Sequence, residues 1–177
     1  FVPTDDIASL PLDAKKVISR RAAMELSKGA VINLAVGTPE GVANVAAEEG
    51  ISDLITMTSE SGAVAGIPMG GKAFGAVQNA WAVVEQGIQF DFYDGGGLDV
   101  TYLGLAEVDP IGNVNVSHFG TNVTGCGGFI NISQNTPNLV YCGTFTAGGL
   151  KTKIENGKLI IEKDKVDPSL TKIVCRN

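Results

Sequence analysis

The sequence predicts an α/β fold: an open, mostly parallel sheet with flanking helices and added β hairpins. Three features predict it. Val31–Val36 is a short apolar run of strand length that breaks at Gly37, where helix-start chemistry follows: Thr38 suits an N-cap and Pro39 the first helical position. Leu54–Thr58 is a second β-prone run, ending at Ser59-Glu60-Ser61-Gly62 before a glycine-rich loop. Two successive units that run from strand into helix or loop favour a parallel α/β sheet, and the segments beyond them carry mostly strand composition.

Along the chain, residues 1–11 read as a linker punctuated by Pro3 and Pro11. The opening lacks Met, and it lacks the basic region and apolar core of a signal peptide. The domain is expected to span 12–177. Over residues 12–28, Ala14, Val17, Ile18, Ala22 and Leu26 fall near helical spacing, and Gly29 can stop the helix. The helix that starts at Thr38-Pro39 can end at Gly50. Gln89–Tyr93, Val100–Ala106, Val114–Val116, Phe129–Ser133 and Leu139–Thr144 all have the aromatic and β-branched content of strands. Lys151–Lys163 reads as a hairpin closed by a type I′ turn at Asn156-Gly157.

Composition narrows the function classes. The chain has 177 residues, 44% hydrophobic and 18% charged, as expected of a folded domain. Its net charge of −6 argues against a surface that tracks nucleic-acid phosphates. No stretch reaches the length of a membrane span. Cys126, Cys142 and Cys175 are odd in number and lack CxxC spacing, so free, mostly buried thiols in a reducing cytoplasm are expected rather than disulfides or a zinc site.

Four features could carry chemistry. The Gly37 turn feeds a helix start, whose free N–H groups attract anions such as phosphate; every α/β protein also has plain turns of this kind. Glu60 lies where a strand stops, the side of an open α/β sheet on which ligands collect, and a carboxylate there can be a covalent nucleophile or simply a surface residue. Gly125-Cys126-Gly127-Gly128 could bring backbone N–H groups close to an oxyanion, or merely form a tight turn. Asp91, Asp94 and Asp99 surround Gly95–Gly97, but their spacing does not match a calcium loop and turn formation is the simpler role. No metal site is expected. Gly66–Lys72 has P-loop spacing, yet Ala73 stands where a magnesium-binding hydroxyl would be needed. The lone histidine, His118, is expected to pack or hydrogen-bond, because no serine elbow accompanies it.

Taken in order, these motifs resemble one family. Val36–Gly41, Ser59–Gly62, Phe90–Gly97, Gly125–Ser133 and Cys142–Gly149 look like the β-type, carboxyl-terminal half of family I coenzyme A transferases. The similarity is greatest to fused propionate or acetate CoA-transferases that also accept 3-ketoacids. It implies a CoA-transferase-like fold and a preceding α-type half. It also implies that the chain stops short of the family's usual end, and that the isolated piece has little activity.

By that resemblance Glu60 is the nucleophile and Gly128 supplies the oxyanion N–H, with Gly125 and Gly127 in the same loop beside coenzyme A. Gly37, Thr38, Pro39, Glu40 and Gly41 fall in a CoA-contacting segment. Many relatives carry Asn where this chain has Ser61. The implied substrates are acyl-CoA thioesters and short carboxylates. Coenzyme A is substrate and temporary covalent partner rather than a resident cofactor, and a homo-oligomer in the cytoplasm is the default. Two alternatives stay open from the residues: an acyl-CoA hydrolase of the same fold, and a metabolite-binding or assembly half without catalysis.

Overall fold

A computed structural model of the chain describes residues 2–3, 9–144 and 151–163. Most of the expected linker, Cys175 and the Phe145–Gly149 part of the last motif lie outside the described residues. The chain divides into two compact units. Among the described residues, the larger takes in those up to Gly104 together with Cys126–Cys142, and the smaller takes in Leu105–Gly125, 143–144 and 151–163.

The elements in order are α1 (Ala14–Ala23), β1 (Val31–Leu34), α2 (Gly41–Glu48), β2 (Thr56–Thr58), β3 (Ala63–Val64), β4 (Ile67–Pro68), β5 (Val77–Gln78), β6 (Ala82–Val83) and α3 (Gln86–Asp94). There follow β7 (Val100–Gly104), β8 (Glu107–Val108), β9 (Val114–Asn115), β10 (His118–Phe119), β11 (Asn122–Val123), α4 (Phe129–Gln134), β12 (Asn138–Cys142), β13 (Lys151–Glu155) and β14 (Lys158–Lys163).

The larger unit is built on a six-stranded sheet in the order β12-β7-β1-β2-β3-β6. The first four strands are parallel and the last two antiparallel, so the open, mostly parallel α/β fold is the one observed. Strand alternation separates the two faces. Ile32 and Leu34 of β1 and Tyr102 of β7 join Met57, Cys142 and the buried faces of α1 and α2 in one apolar core. Burial there pushes the Cys142 thiol up to about 11, so it is an inert core residue rather than a nucleophile. Asn33 points the other way and meets Tyr93 of α3. Asp13 caps α1, its carboxylate accepting the Lys16 N–H at 2.9 Å.

In the smaller unit β8 pairs with β9, β10 with β11 and β13 with β14, all antiparallel. Asn156 and Gly157 both have positive φ, 51° and 73°, which is the I′ geometry their sequence predicts.

Two expected strands are helices. Gln89–Tyr93 lies within α3 and Phe129–Ser133 within α4. In α3 the aromatic alternation of Phe90 and Phe92 imitates a strand, but the buried side chains are Gln89 and Tyr93, one helical turn apart. For α4 the reason is topological. β7 and β12 are parallel neighbours, so the chain must cross back between them, and α4 lies on that crossover.

Two boundaries also differ. α1 ends at Ala23, well before Gly29. Thr38 does not cap α2: residues 36–40 are turns, and the helix begins at Gly41 with Glu40 at the cap position and no side-chain cap bond. Its first bonds, from Gly41 N–H to Thr38 O and from Val42 N–H to Pro39 O, at 3.1 and 3.0 Å, are of the tighter i−3 kind.

Candidate active site

Glu60 sits two residues beyond the carboxyl end of β2, in the turn from Ser59 to Gly62 that leads into β3. The turn closes through Ser59 N–H to Ala63 O at 3.0 Å and Gly62 N–H to Ser59 O at 2.9 Å. Gly62 has φ +100°, and a Cβ there would overlap the Val84 carbonyl, so this corner requires glycine. Ser61, the departure from many relatives, has a clear local task. Its hydroxyl donates to Gly75 O at 2.8 Å and pairs with the Ser59 hydroxyl at 3.0 Å, which ties the turn to the following loop.

The Glu60 carboxylate is half-buried and has no hydrogen-bond or ion-pair partner among the described residues. Burial therefore raises its pKa above the ordinary glutamate value. Gly128, at the cap position of α4, borders it. A Cβ on Gly128 would lie 2.8 Å from Phe90 ring carbons and 3.0 Å from Glu60 Oε2. The φ of −77° at Gly128 is open to any residue, so it is space beside the carboxylate, not backbone torsion, that selects glycine. The structure thus brings together Glu60 and Gly128, two residues far apart in sequence.

Beneath the turn, on the face of β1 opposite the apolar cluster, lies a polar link. Asn33 Nδ2 donates to the Tyr93 hydroxyl at 3.1 Å, Tyr93 donates to Thr58 Oγ1 at 3.0 Å, and Thr58 Oγ1 donates to Ile32 O at 2.8 Å. Asn33 and Tyr93 are fully buried. Burial raises the Tyr93 hydroxyl pKa; hydrogen bonds from its neighbours oppose this, and the nearby Glu60 charge adds to it. Sequence reasoning missed these residues. Asn33 alone carried a signal, as a polar residue inside an apolar strand run.

The Gly37 segment follows β1, the strand beside β2, so it lies at the same carboxyl edge of the sheet as Glu60. Gly37 is exposed with φ +93°, and Thr38 is half-exposed. Pro39, Glu40 and Gly41 are buried. Glu40 Oε2 lies 3.9 Å from Lys15 Nζ and takes the space a Cβ on Gly70 would need, while Glu40 Oε1 has no hydrogen-bond partner among the described residues. Gly127 and Gly125 are exposed, with positive φ and open space around each Cα; Gly125 belongs to the smaller unit, where its N–H donates to Ser117 O at 3.1 Å.

The aspartates have structural duties. Asp99 accepts the Val31 N–H at 2.8 Å and Asp94 accepts the Asn131 amide at 3.0 and 3.1 Å, while Asp91 is exposed. His118 is exposed on β10 in the smaller unit, with its backbone bonded to the Asn115 side chain. Among the described residues no cluster of three or more His, Cys, Asp or Glu could hold a metal ion, and no helix is long and apolar enough to cross a membrane.

An uncompensated carboxylate at the carboxyl edge of a parallel sheet, against glycine backbone at a helix start, defines an open α/β protein suited to covalent carboxylate chemistry. No protein-family model matches the chain. Individual proteins do. It is 50% identical to the acetate CoA-transferase YdiF of Escherichia coli K12 over 89% of its own length and 30% of that protein's. It is 49% identical to the caffeate CoA-transferase of Acetobacterium woodii, over 97% of its own length and 34% of the relative's. The β subunit of Escherichia coli acetate CoA-transferase matches at 36% identity, over 66% of this chain and 57% of the subunit. A crystal structure of the YdiF acyl-CoA transferase of Escherichia coli O157:H7, described as a thioester complex with CoA, superposes with a TM-score of 0.77 at 46% identity, covering 91% of this chain and 30% of that one. The chain belongs to the CoA-transferase family and corresponds to its β-type half. It spans about a third of the length of the first two relatives.

Proposed function

We propose that this chain carries the nucleophile of a CoA-transferase that moves coenzyme A between short-chain acyl-CoA thioesters and carboxylates. The single observation that carries the reading is the Glu60 carboxylate, half-buried, without an ionic partner among the described residues, and held against Gly128 at the sheet's carboxyl edge. Glu60 attacks the thioester carbonyl, the C–S bond breaks, and an acyl-glutamyl anhydride forms with release of CoA thiolate. The thiolate attacks the Glu60 carbonyl and expels the free carboxylate, leaving a glutamyl-CoA thioester. An incoming carboxylate reverses both steps and leaves as the new acyl-CoA. Splitting the exchange into covalent steps lowers each barrier.

Each tetrahedral intermediate carries an oxyanion. One well-placed donor, here the Gly128 N–H, contributes roughly 3 kcal/mol to its stabilisation. Gly37 and Thr38, open at the same edge, and Gly127 beside Gly128 are the segments offered to coenzyme A. Buried Pro39, Glu40 and Gly41 hold the Gly37 turn in place. The thioester complex of the YdiF relative supports coenzyme A as substrate and covalent partner. An α-type half of the same enzyme, a homo-oligomeric assembly and a cytoplasmic location complete the reading. The β-subunit relative supports the first and the free Cys126 and Cys142 thiols support the last.

Mass spectrometry of the complete enzyme after incubation with acetyl-CoA, without acceptor, should find coenzyme A on the Glu60 peptide, and Glu60→Ala should abolish both adduct and transfer. An adduct on another residue, or turnover without any adduct, sinks the assignment.

A further inference from the structure

Glu60 has no side-chain partner of its own among the described residues, so its carboxylate is placed by the backbone that carries it. That backbone is fastened on two sides. On one side Ser61 bonds Gly75 O at 2.8 Å. On the other, Thr58, two residues before Glu60, accepts from the Tyr93 hydroxyl at 3.0 Å and donates its own hydroxyl to Ile32 O at 2.8 Å. Tyr93 is in turn held by Asn33 Nδ2 at 3.1 Å. Every hydrogen bond in this series runs in one direction, from amide to phenol to hydroxyl to carbonyl, an arrangement in which each bond polarises the next.

The same helix closes the far side of the carboxylate. Phe90 lies one turn before Tyr93, their rings meeting edge to face at 5.7 Å, and Phe90 ring carbons share the space beside Gly128 with Glu60 Oε2. A buried polar group costs stability unless it is hydrogen-bonded, and Asn33 Oδ1 has no partner among the described residues, so the series is kept at a cost.

We propose that Tyr93 is a positioning residue: through Thr58 it sets the height of the Glu60 turn, so that the carboxylate meets the acyl carbon with Gly128 in reach of the oxyanion. The inference rests on the CoA-transferase reading above and deepens it. Tyr93 touches neither substrate nor the reacting atoms. Its effect is on how often Glu60 occupies an attacking geometry, and small misplacements of a nucleophile cost rate rather than binding.

The test uses the complete enzyme and follows the rate of glutamyl-CoA formation after rapid mixing with acetyl-CoA, together with kcat, KM and the melting temperature. Tyr93→Phe keeps the ring and removes the hydroxyl. It should slow adduct formation and kcat on the order of 100-fold, leaving KM for acetyl-CoA within about threefold. Thr58→Val should do the same and Thr58→Ser should restore the rate. Combining Tyr93→Phe with Thr58→Val should be no worse than either change alone, because both cut one series. Adduct formation at the unsubstituted rate in Tyr93→Phe overturns the inference alone, as does a Thr58→Ser enzyme as slow as Thr58→Val. Turnover of the unsubstituted enzyme without any Glu60 adduct overturns the functional reading, and this inference with it.

Discussion

Glu60 is a residue whose environment works against its charge. Burial without a compensating cation keeps the folded-state pKa above the ordinary value of 4.5. In the proposed mechanism Glu60 must be ionised to attack, so kcat/KM for acyl-CoA should fall on the acid side with a midpoint above 4.5 in a pH–rate profile of the complete enzyme. The same shift has a consequence for stability, opposite in sign to that of a salt-bridged carboxylate. The folded protein holds the Glu60 proton more tightly than the unfolded chain does. Stability linked to this group is therefore fullest below the unfolded value and is lost as pH rises through the folded one. Glu60→Gln, which keeps the shape and discards the charge, should melt higher than the unsubstituted chain near neutral pH, and the gap should close in acid. A gap that stays constant across pH would show that Glu60 is not destabilised by burial. Gly128 illustrates the complementary rule. Its torsions suit any residue, and the demand for glycine comes from the carboxylate and Phe90 ring on its open side.

At the scale of elements, the strand–turn–helix unit from β1 to α2 is held by close approach rather than by a side-chain cap. A Cβ on Gly41 would overlap Ser19 Oγ of α1, which itself is fully buried and bonded to Lys15 O at 2.8 Å. Gly41→Ala should cost about 1–3 kcal/mol as overpacking, read as a lowered melting temperature, and Ser19→Gly in the same chain should recover part of it. If Gly41→Ala melts at the native temperature, the contact between α1 and α2 is softer than described. Element type was the less legible part of the sequence. The β1, β2, β7 and β12 runs stand out because their β-branched, aromatic and apolar residues favour strands. The α3 and α4 segments were hidden because aromatic and β-branched residues favour strands locally, while the crossover between β7 and β12 and the burial of Tyr93 decide the matter at a distance.

For the whole molecule, the proposed function places part of the active site on an α-type half. The chain spans 30% of the acetate CoA-transferase and 34% of the caffeate CoA-transferase to which it is similar. Binding energy along the coenzyme A tail can be used to reach the transition state, and in the function proposed above part of that surface belongs to an α-type half. The isolated chain should therefore show little transfer between acetyl-CoA and propionate. The complete enzyme should form propionyl-CoA readily under the same conditions. Full activity in the isolated chain would refute the shared-site reading.

By itself, the sequence determined the order of motifs, the open α/β class, the I′ hairpin and the position of Glu60 just past a strand. These follow from local chemistry: apolar runs, glycine corners and turn residues act within a few positions of where they stand. Only the tertiary structure decided that Gly128 and Phe90 border Glu60, and that Tyr93 reaches Thr58 and Asn33. Such contacts join residues 30 to 70 positions apart, so no local pattern announces them, apart from one asparagine in a strand that should have been apolar. The physical reason is that burial is a property of the assembled sheet and helices. It is partial burial, without a counter-charge among the described residues, that turns a strand-end glutamate into a candidate nucleophile.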